Sequence, residues 1–222
     1  MTPFRILVIS TLAASLGACA SSPPPKPPAS QHRVQRAAAN IAPASASLVS
    51  GRLSITAVDG GVRIEGELGG LGRGSTHAIH VHERGDCSAA DGSSAGGHFN
   101  PDVLAHGRAG SGAHHLGDMD NLSANTEGVA AVNLRLLGVT MGSGASNDIL
   151  GRALVVHAGP DDYPSQPAGN SGPRVGCRGI EIAMEARSRA CAAQRRARIL
   201  PCRARQHAHI QPVDFEDCRE LT

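Results

Sequence analysis

Tryptophan is absent from this 222-residue chain, and phenylalanine and tyrosine together supply only four residues. Glycine, by contrast, occurs 27 times. So few large rings and so many glycines suit a β protein rich in turns and loops better than a helical bundle. An excess of one charge is lacking as well: 21 basic residues face 19 acidic ones, and the formal net charge of +2 gives no reason to expect a nucleic-acid partner. The apolar run Ile6 to Leu16 is too short to span a bilayer. The length accommodates one domain of about 130–150 residues with extra segments around it.

The chain begins "MTPFRILVISTLAASLGACA", in which one arginine precedes the apolar run and small residues lead into Cys19. This resembles a bacterial lipoprotein signal, with residues 1–18 removed and Cys19 lipidated; an ordinary secretory signal is the plainer alternative. The implied location is the periplasm or cell envelope, with a lipid anchor in a membrane. Either kind of export permits disulfides. "SSPPPKPPAS" follows, with five prolines in six residues, a composition that favours an extended polyproline spacer. Residues 19–45 are therefore expected to be a tether, loosely ordered over 31–45.

From about Ala46 the pattern changes. "LVSGRLSITAV" and "VRIEGEL" alternate with a period near two and are separated by "DGG", a good hairpin turn. "HAIHVHE", "VAAVNLRL" and "GRALVVH" are further strand candidates. The intervals 84–127 and 158–176 are rich in Gly, Ser, Asp and Pro, and structureless loops of that length are normally functional. The expected fold of residues 46–184 is all-β, a sandwich or flattened barrel of short antiparallel strands with two long functional loops.

Eight of the 11 histidines lie between His77 and His157. In "HAIHVH", residues two apart share a face of a strand. Ile79 and Val81 are apolar and should face the core, so His80 and His82 project from the other face as a pair. His77 has the parity of the core and reads as a buried, hydrogen-bonded histidine. In "ALVVH", His157 lies opposite in parity to Leu154 and Val156 and can join the pair from a neighbouring strand. The loop adds "GGHFNP" with His98, "AHG" with His106 and "AHHLGD" with His115 and Asp118. Imidazole and carboxylate suit zinc or copper, and three histidines with one aspartate fit a closed tetrahedral zinc site.

"HAIHVHERGDC", "GGHFNP", "HHLGD", "GRALVVHAGPDD" and "GNSGPRVGC" resemble, in order, the motifs of the periplasmic copper/zinc superoxide dismutases of bacteria. The resemblance spans about residues 47–177 and implies a Greek-key β-barrel. It implies copper at His80, His82, His98 and His157, and zinc at His98, His106, His115 and Asp118, with His98 bridging the metals. Its pattern favours His115 over the adjacent His114. It makes Asp161 a carboxylate linking a copper histidine to a zinc histidine, a kind of partner that orients ligand rings. It pairs Cys87 with Cys177 in a disulfide, and it places Arg174 beside the copper as the cation that attracts substrate.

The implied catalytic residues are Arg174 and His98, and the implied substrate is superoxide. One superoxide is oxidised to dioxygen and a second reduced to hydrogen peroxide, protecting the envelope from exogenous superoxide. A homodimer is compatible with the family. A non-catalytic copper store would favour loss of Arg174 or of a bridging ligand, and a copper-only dismutase would favour loss of the zinc-loop ligands; all are present. The match breaks after Cys177, where the chain reads "CRGIEIAMEARSRAC". Ile180, Ile182 and Met184 can still alternate as a short strand. Residues 185–222, rich in arginine and cysteine, are expected to be a disordered tail, with a membrane- or nucleic-acid-binding tail as the alternative.

Overall fold

The computed structural model describes residues 33–183. The expectations about the signal, Cys19, the proline-rich spacer, Met184 and the tail lie outside these residues. Ten strands follow in chain order: β1 (Arg36–Pro43), β2 (Ser50–Val58), β3 (Gly61–Gly69), β4 (Thr76–His77), β5 (Ile79–His82), β6 (Leu122–Ser123), β7 (Ala130–Leu137), β8 (Ala153–His157), β9 (Arg174–Gly179) and β10 (Glu181–Ile182). One 3-10 turn, Ser93–Ala95, is the only helical element among the described residues. All strand pairings are antiparallel, and the main sheet runs β5-β8-β9-β1-β2-β3-β7, with β10 also on β1 and a separate β4-β6 pair. The strands curl into a half-barrel. The all-β expectation holds.

The β2–β3 hairpin forms as its sequence predicts. Val58 pairs with Gly61, leaving Asp59 and Gly60 as a two-residue turn, and Gly60 takes the positive φ of 74° that such turns need. Alternation then buries Leu53 and Ile55 of β2 and Val62, Ile64 and Leu68 of β3. Val132 and Leu136 of β7, Ile79 and Val81 of β5, and Leu154 and Val156 of β8 complete the same core.

One boundary differs from expectation. Residues 36–43 are not linker: β1 pairs with β2 over Arg36 to Ile41 and with β9 at Ala42 and Pro43, so it seams the two halves of the sheet. Its alternation is present, with Ala37, Ala39 and Ile41 buried. The signal was faint because alanine is a weak strand former and reads as neither clearly inside nor outside. The domain therefore begins ahead of Ala46. At the other end, Ile180 is buried in the core and Ile182 pairs with Ala37, so the short last strand forms. Arg174 to Gly176 belong to β9 rather than to the preceding loop.

The long connection after β5 folds back over that strand's free edge. Phe99 donates its N–H to the Val81 carbonyl at 2.8 Å, and Val81 donates to the Gly117 carbonyl at 2.9 Å. A Cβ on Gly117 would overlap the Val81 carbonyl, so the close approach requires glycine there. The same packing sets His98 against His82 as an isolated bridge. A loop residue is thereby fixed on the barrel wall.

Candidate metal centre

Ile79 and Val81 enter the core, and the opposite parity of β5 turns His80 and His82 together to the other side, where both are buried beneath the loop. β8 pairs with β5, which brings His157 alongside. At the end of β8 the register slips: Val156 faces Gly176, but His157 faces Arg174, leaving Val175 as the extra residue. Such a bulge re-aims side chains. Here it sets His157 and Arg174 across from one another.

The structure brings His80, His82, His98 and His157 together, with one potential ligand atom from each lying within 4.8 Å of the others. His98, His106, His115 and Asp118 form a second such group, and His98 belongs to both. His114 is hydrogen-bonded through Nδ1 to the Gly112 carbonyl at 2.9 Å and lies outside both groups. His77 is buried, with Nδ1 2.9 Å from the His157 carbonyl and Nε2 2.6 Å from Ser75 Oγ, the structural role expected of it.

Most of these rings are oriented by a partner on the nitrogen facing away from the group. His82 Nδ1 lies 3.0 Å from the Gly96 carbonyl, and His157 Nδ1 lies 3.2 Å from that of Gly172. His80 Nε2 and His106 Nε2 each lie 2.9 Å from one oxygen of Asp161, so a single carboxylate spans the two groups. His98 is different. Its Nδ1 lies 2.9 Å from Asp118 Oδ1 in the second group, its Nε2 has no partner, and its ring centre lies 4.0 Å from that of His80 in the first.

Four buried ring nitrogens, His80 Nδ1, His98 Nε2, His106 Nδ1 and His115 Nδ1, have no hydrogen-bond partner. His106 Nδ1 lies 3.0 Å from Asp118 Oδ2, but without hydrogen-bonding geometry. Buried polar atoms are rarely left unpaired. Four of them in two adjacent groups fit the lone pairs that a metal would take. A set of three nitrogens and one oxygen suits zinc, and an all-imidazole set suits copper.

The electrostatics favour the same chemistry. Burial, aided by neighbouring histidines, lowers His80 to about 4, His82 to about 2 and His157 to about 3. Burial also lowers His115. Neutral imidazole is the form that binds a metal. For Asp118, burial acts upward but is outweighed by hydrogen bonds from His98 and the His115 amide, so the net shift is downward. Asp161 is also lowered, because hydrogen bonds from His80, His106 and the Tyr163 amide outweigh its burial.

Cys87 and Cys177 form a disulfide, which holds the loop to β9. From β9 the guanidinium of Arg174 donates to the carbonyls of Gly92 at 2.5 Å and Gly96 at 2.6 Å, both in that loop. The profile of the family described as copper/zinc superoxide dismutase (SODC) matches residues 49–180.

The chain belongs to the copper/zinc superoxide dismutase family. It is 39% identical over 132 residues to "Superoxide dismutase [Cu-Zn] 2" of Aquifex aeolicus (strain VF5), covering 58% of this chain and 77% of that one. It is 38% identical over 133 residues to "Superoxide dismutase [Cu-Zn]" of Caulobacter vibrioides (strain ATCC 19089 / CIP 103742 / CB 15), covering 58% and 76%. Among solved structures, a SOD-like protein from Bacillus subtilis superposes with a TM-score of 0.59 at 30% identity, covering 66% of this chain and 97% of that one. The clock protein EA4 superposes with a TM-score of 0.60 at 32% identity, covering 68% and 96%. The protein is a superoxide dismutase, and its metals are copper and zinc.

Two residues around the superoxide dismutase centre carried no signal in the sequence: Asn121 and Gln166 adjoin the contact between Asp161 and His106. Asparagine and glutamine in loops are too common to stand out.

Proposed function

We propose that this dismutase holds copper with His80, His82, His98 and His157 and zinc with His98, His106, His115 and Asp118, and works in the cell envelope against exogenous superoxide. The observation that carries the ligand assignment is His98, which belongs to both donor groups, with Nδ1 on Asp118 and Nε2 buried without a partner. With both metals bound, this ring would be shared between them.

Copper held there would supply one-electron exchange with superoxide, and zinc would add no redox chemistry of its own. Arg174 carries the positive charge that draws the anion to the histidine group, and the Gly92 and Gly96 carbonyls hold it in place. His98 would take up a proton at the ring nitrogen that reduced copper gives up, and would pass it to the reduced substrate. A second proton from solvent completes the balance of two superoxides and two protons to one dioxygen and one hydrogen peroxide. Burial keeps the rings of His80, His82 and His157 neutral, and Asp161, Gly96 and Gly172 orient them. Asp118 provides the anionic ligand of the zinc group.

The experiment separates the two groups. His157→Ala should abolish dismutation while zinc stays bound, whereas Asp118→Ala should release zinc first. Loss of the same metal from both variants would refute the assignment. The envelope reading rests on the N-terminal sequence, with lipid on Cys19 tethering the enzyme. Cys19→Ser should move the dismutase from the membrane fraction to the soluble fraction of the exporting cell; continued membrane association would remove the anchor.

A further inference from the structure

We propose that Gln166, Asn121 and Gly169 are positioning residues that hold the Asp161 carboxylate between the two histidine groups. This rests on the ligand assignment above and concerns how the link between the groups is kept in register.

His106 lies in the connection between β5 and β6, and Asp161 in that between β8 and β9. The loops meet where His106 Nε2 lies 2.9 Å from Asp161 Oδ1. Each loop grips the other's backbone with an amide side chain. Gln166 Oε1 accepts from the His106 N–H at 2.8 Å, and Gln166 Nε2 donates to the His106 carbonyl at 2.8 Å. In return, Asn121 Oδ1 accepts from the Asp161 N–H at 2.8 Å, and Asn121 Nδ2 donates to the Asp161 carbonyl at 2.9 Å. A side-chain amide offers one acceptor and donors in the arrangement of a peptide. Each pair therefore works like a rung of a β-ladder between two segments that have no ladder of their own.

The carboxylate inside this cross-clamp has its contacts defined. Oδ2 faces His80, and Oδ1 takes both the His106 ring and the Tyr163 N–H, the latter at 2.7 Å. Gly169 closes the site from above: it has a φ of +64°, and a Cβ there would overlap Asp161 Oδ1 and lie 2.7 Å from His106 Nε2. Gln166 is exposed and meets the zinc group only at the His106 backbone, so its effect on the ring of His106 runs through that backbone and Asp161. Without the clamp, the two backbones can separate and the carboxylate can turn to water. His106 then loses the acceptor that aims its Nδ1.

The test is a double-mutant cycle on zinc affinity in the full chain, read by competition with a chromophoric chelator. Gln166→Ala should weaken zinc binding about tenfold, the low end of losses seen when the partner of a ligating histidine is disturbed. In an Asp161→Ala background the same change should cost less than about twofold, because the group it positions is gone. Gln166→Glu, which keeps the acceptor but not the donor, should fall between. The Cu(II) electron paramagnetic resonance spectrum of Gln166→Ala should shift in the direction seen for Asp161→Ala, since Asp161 also orients His80.

Equal losses in both backgrounds, or no loss in either, would overturn the clamp while His106→Ala still releases zinc. Zinc retained by His106→Ala would overturn the ligand assignment and the clamp with it.

Discussion

His82 and Arg174 are hydrogen-bonded to one carbonyl oxygen, that of Gly96, at 3.0 Å from His82 Nδ1 and 2.6 Å from Arg174 Nη2. The ring that binds copper in our assignment and the cation that meets the substrate are thus registered on a single peptide. Arg174→Glu replaces the attracting charge with a repelling one. Activity should fall at least about tenfold at low ionic strength, with copper retained, and the response to added salt should reverse in sign. Stopped-flow dismutation across a salt series measures both. A rate unchanged at low salt would take Arg174 out of substrate capture.

The Cys87–Cys177 bond closes a sequence separation of 90 residues and holds the segment carrying Gly92 and Gly96 against β9. Cys177→Ser should cost roughly 2–5 kcal/mol of stability. It should also lower kcat/KM at temperatures where the variant remains folded, because Arg174 loses its fixed acceptors. Denaturant midpoints and rates on the same sample check this. Full activity in a folded variant would restrict the disulfide to stability.

In the metal-free protein, burial lowers His80 to about 4, His82 to about 2 and His157 to about 3. In the unfolded chain these groups titrate near about 6.5. The folded values are lower, so the unfolded state takes up protons first as pH falls. Stability is therefore full above about pH 6.5 and declines on acidification toward the folded values. These three rings contribute a slope that approaches three protons, about 4 kcal/mol per pH unit, and His115 acts in the same direction. The depressed Asp118 and Asp161 act in the same direction, but only below the ordinary carboxylate range. Urea unfolding of the metal-free protein at pH 7.5, 6 and 5 tests the sign; a midpoint independent of pH would show that these rings are not held neutral.

Gly169 and Gly172 lie in the same loop with φ of +64° and +75°, so alanine is conformationally strained at both. Only at Gly169 does the added Cβ strike the Asp161–His106 contact; at Gly172 its nearest neighbours are 3.9 Å away or more. Gly169→Ala should weaken zinc by more than about tenfold, the scale set by a disturbed ligand partner. Gly172→Ala should change it little. Equal effects would assign the loss to backbone strain alone.

Much of the site was legible because alternation is a local property. Ile79 and Val81 enter the core, and that alone turns His80 and His82 to the other side. The Asp-Gly turn of the β2–β3 hairpin was equally plain. β1 was missed because Ala37, Ala39 and Ile41 alternate with Arg36, Ala38 and Asn40, a contrast too weak to mark a strand. The residues around Asp161 were invisible for another reason: Asn121 and Gln166 act through side-chain amides whose partners lie 40 and 60 positions away.

The sequence by itself determined which residue types were available for metals, their density along the chain and the faces of the strands that carry them. Tertiary structure decided which of them meet. It turned His115 inward and left His114 bonded to Gly112, set His98 between two donor groups, and used the bulge at Val175 to place Arg174 opposite His157. Strand parity is dictated by backbone geometry over two residues. The meeting of loops is dictated by the packing of Phe99 and Gly117 on Val81 and by a disulfide between distant cysteines, contacts that exist only once the sheet has curled.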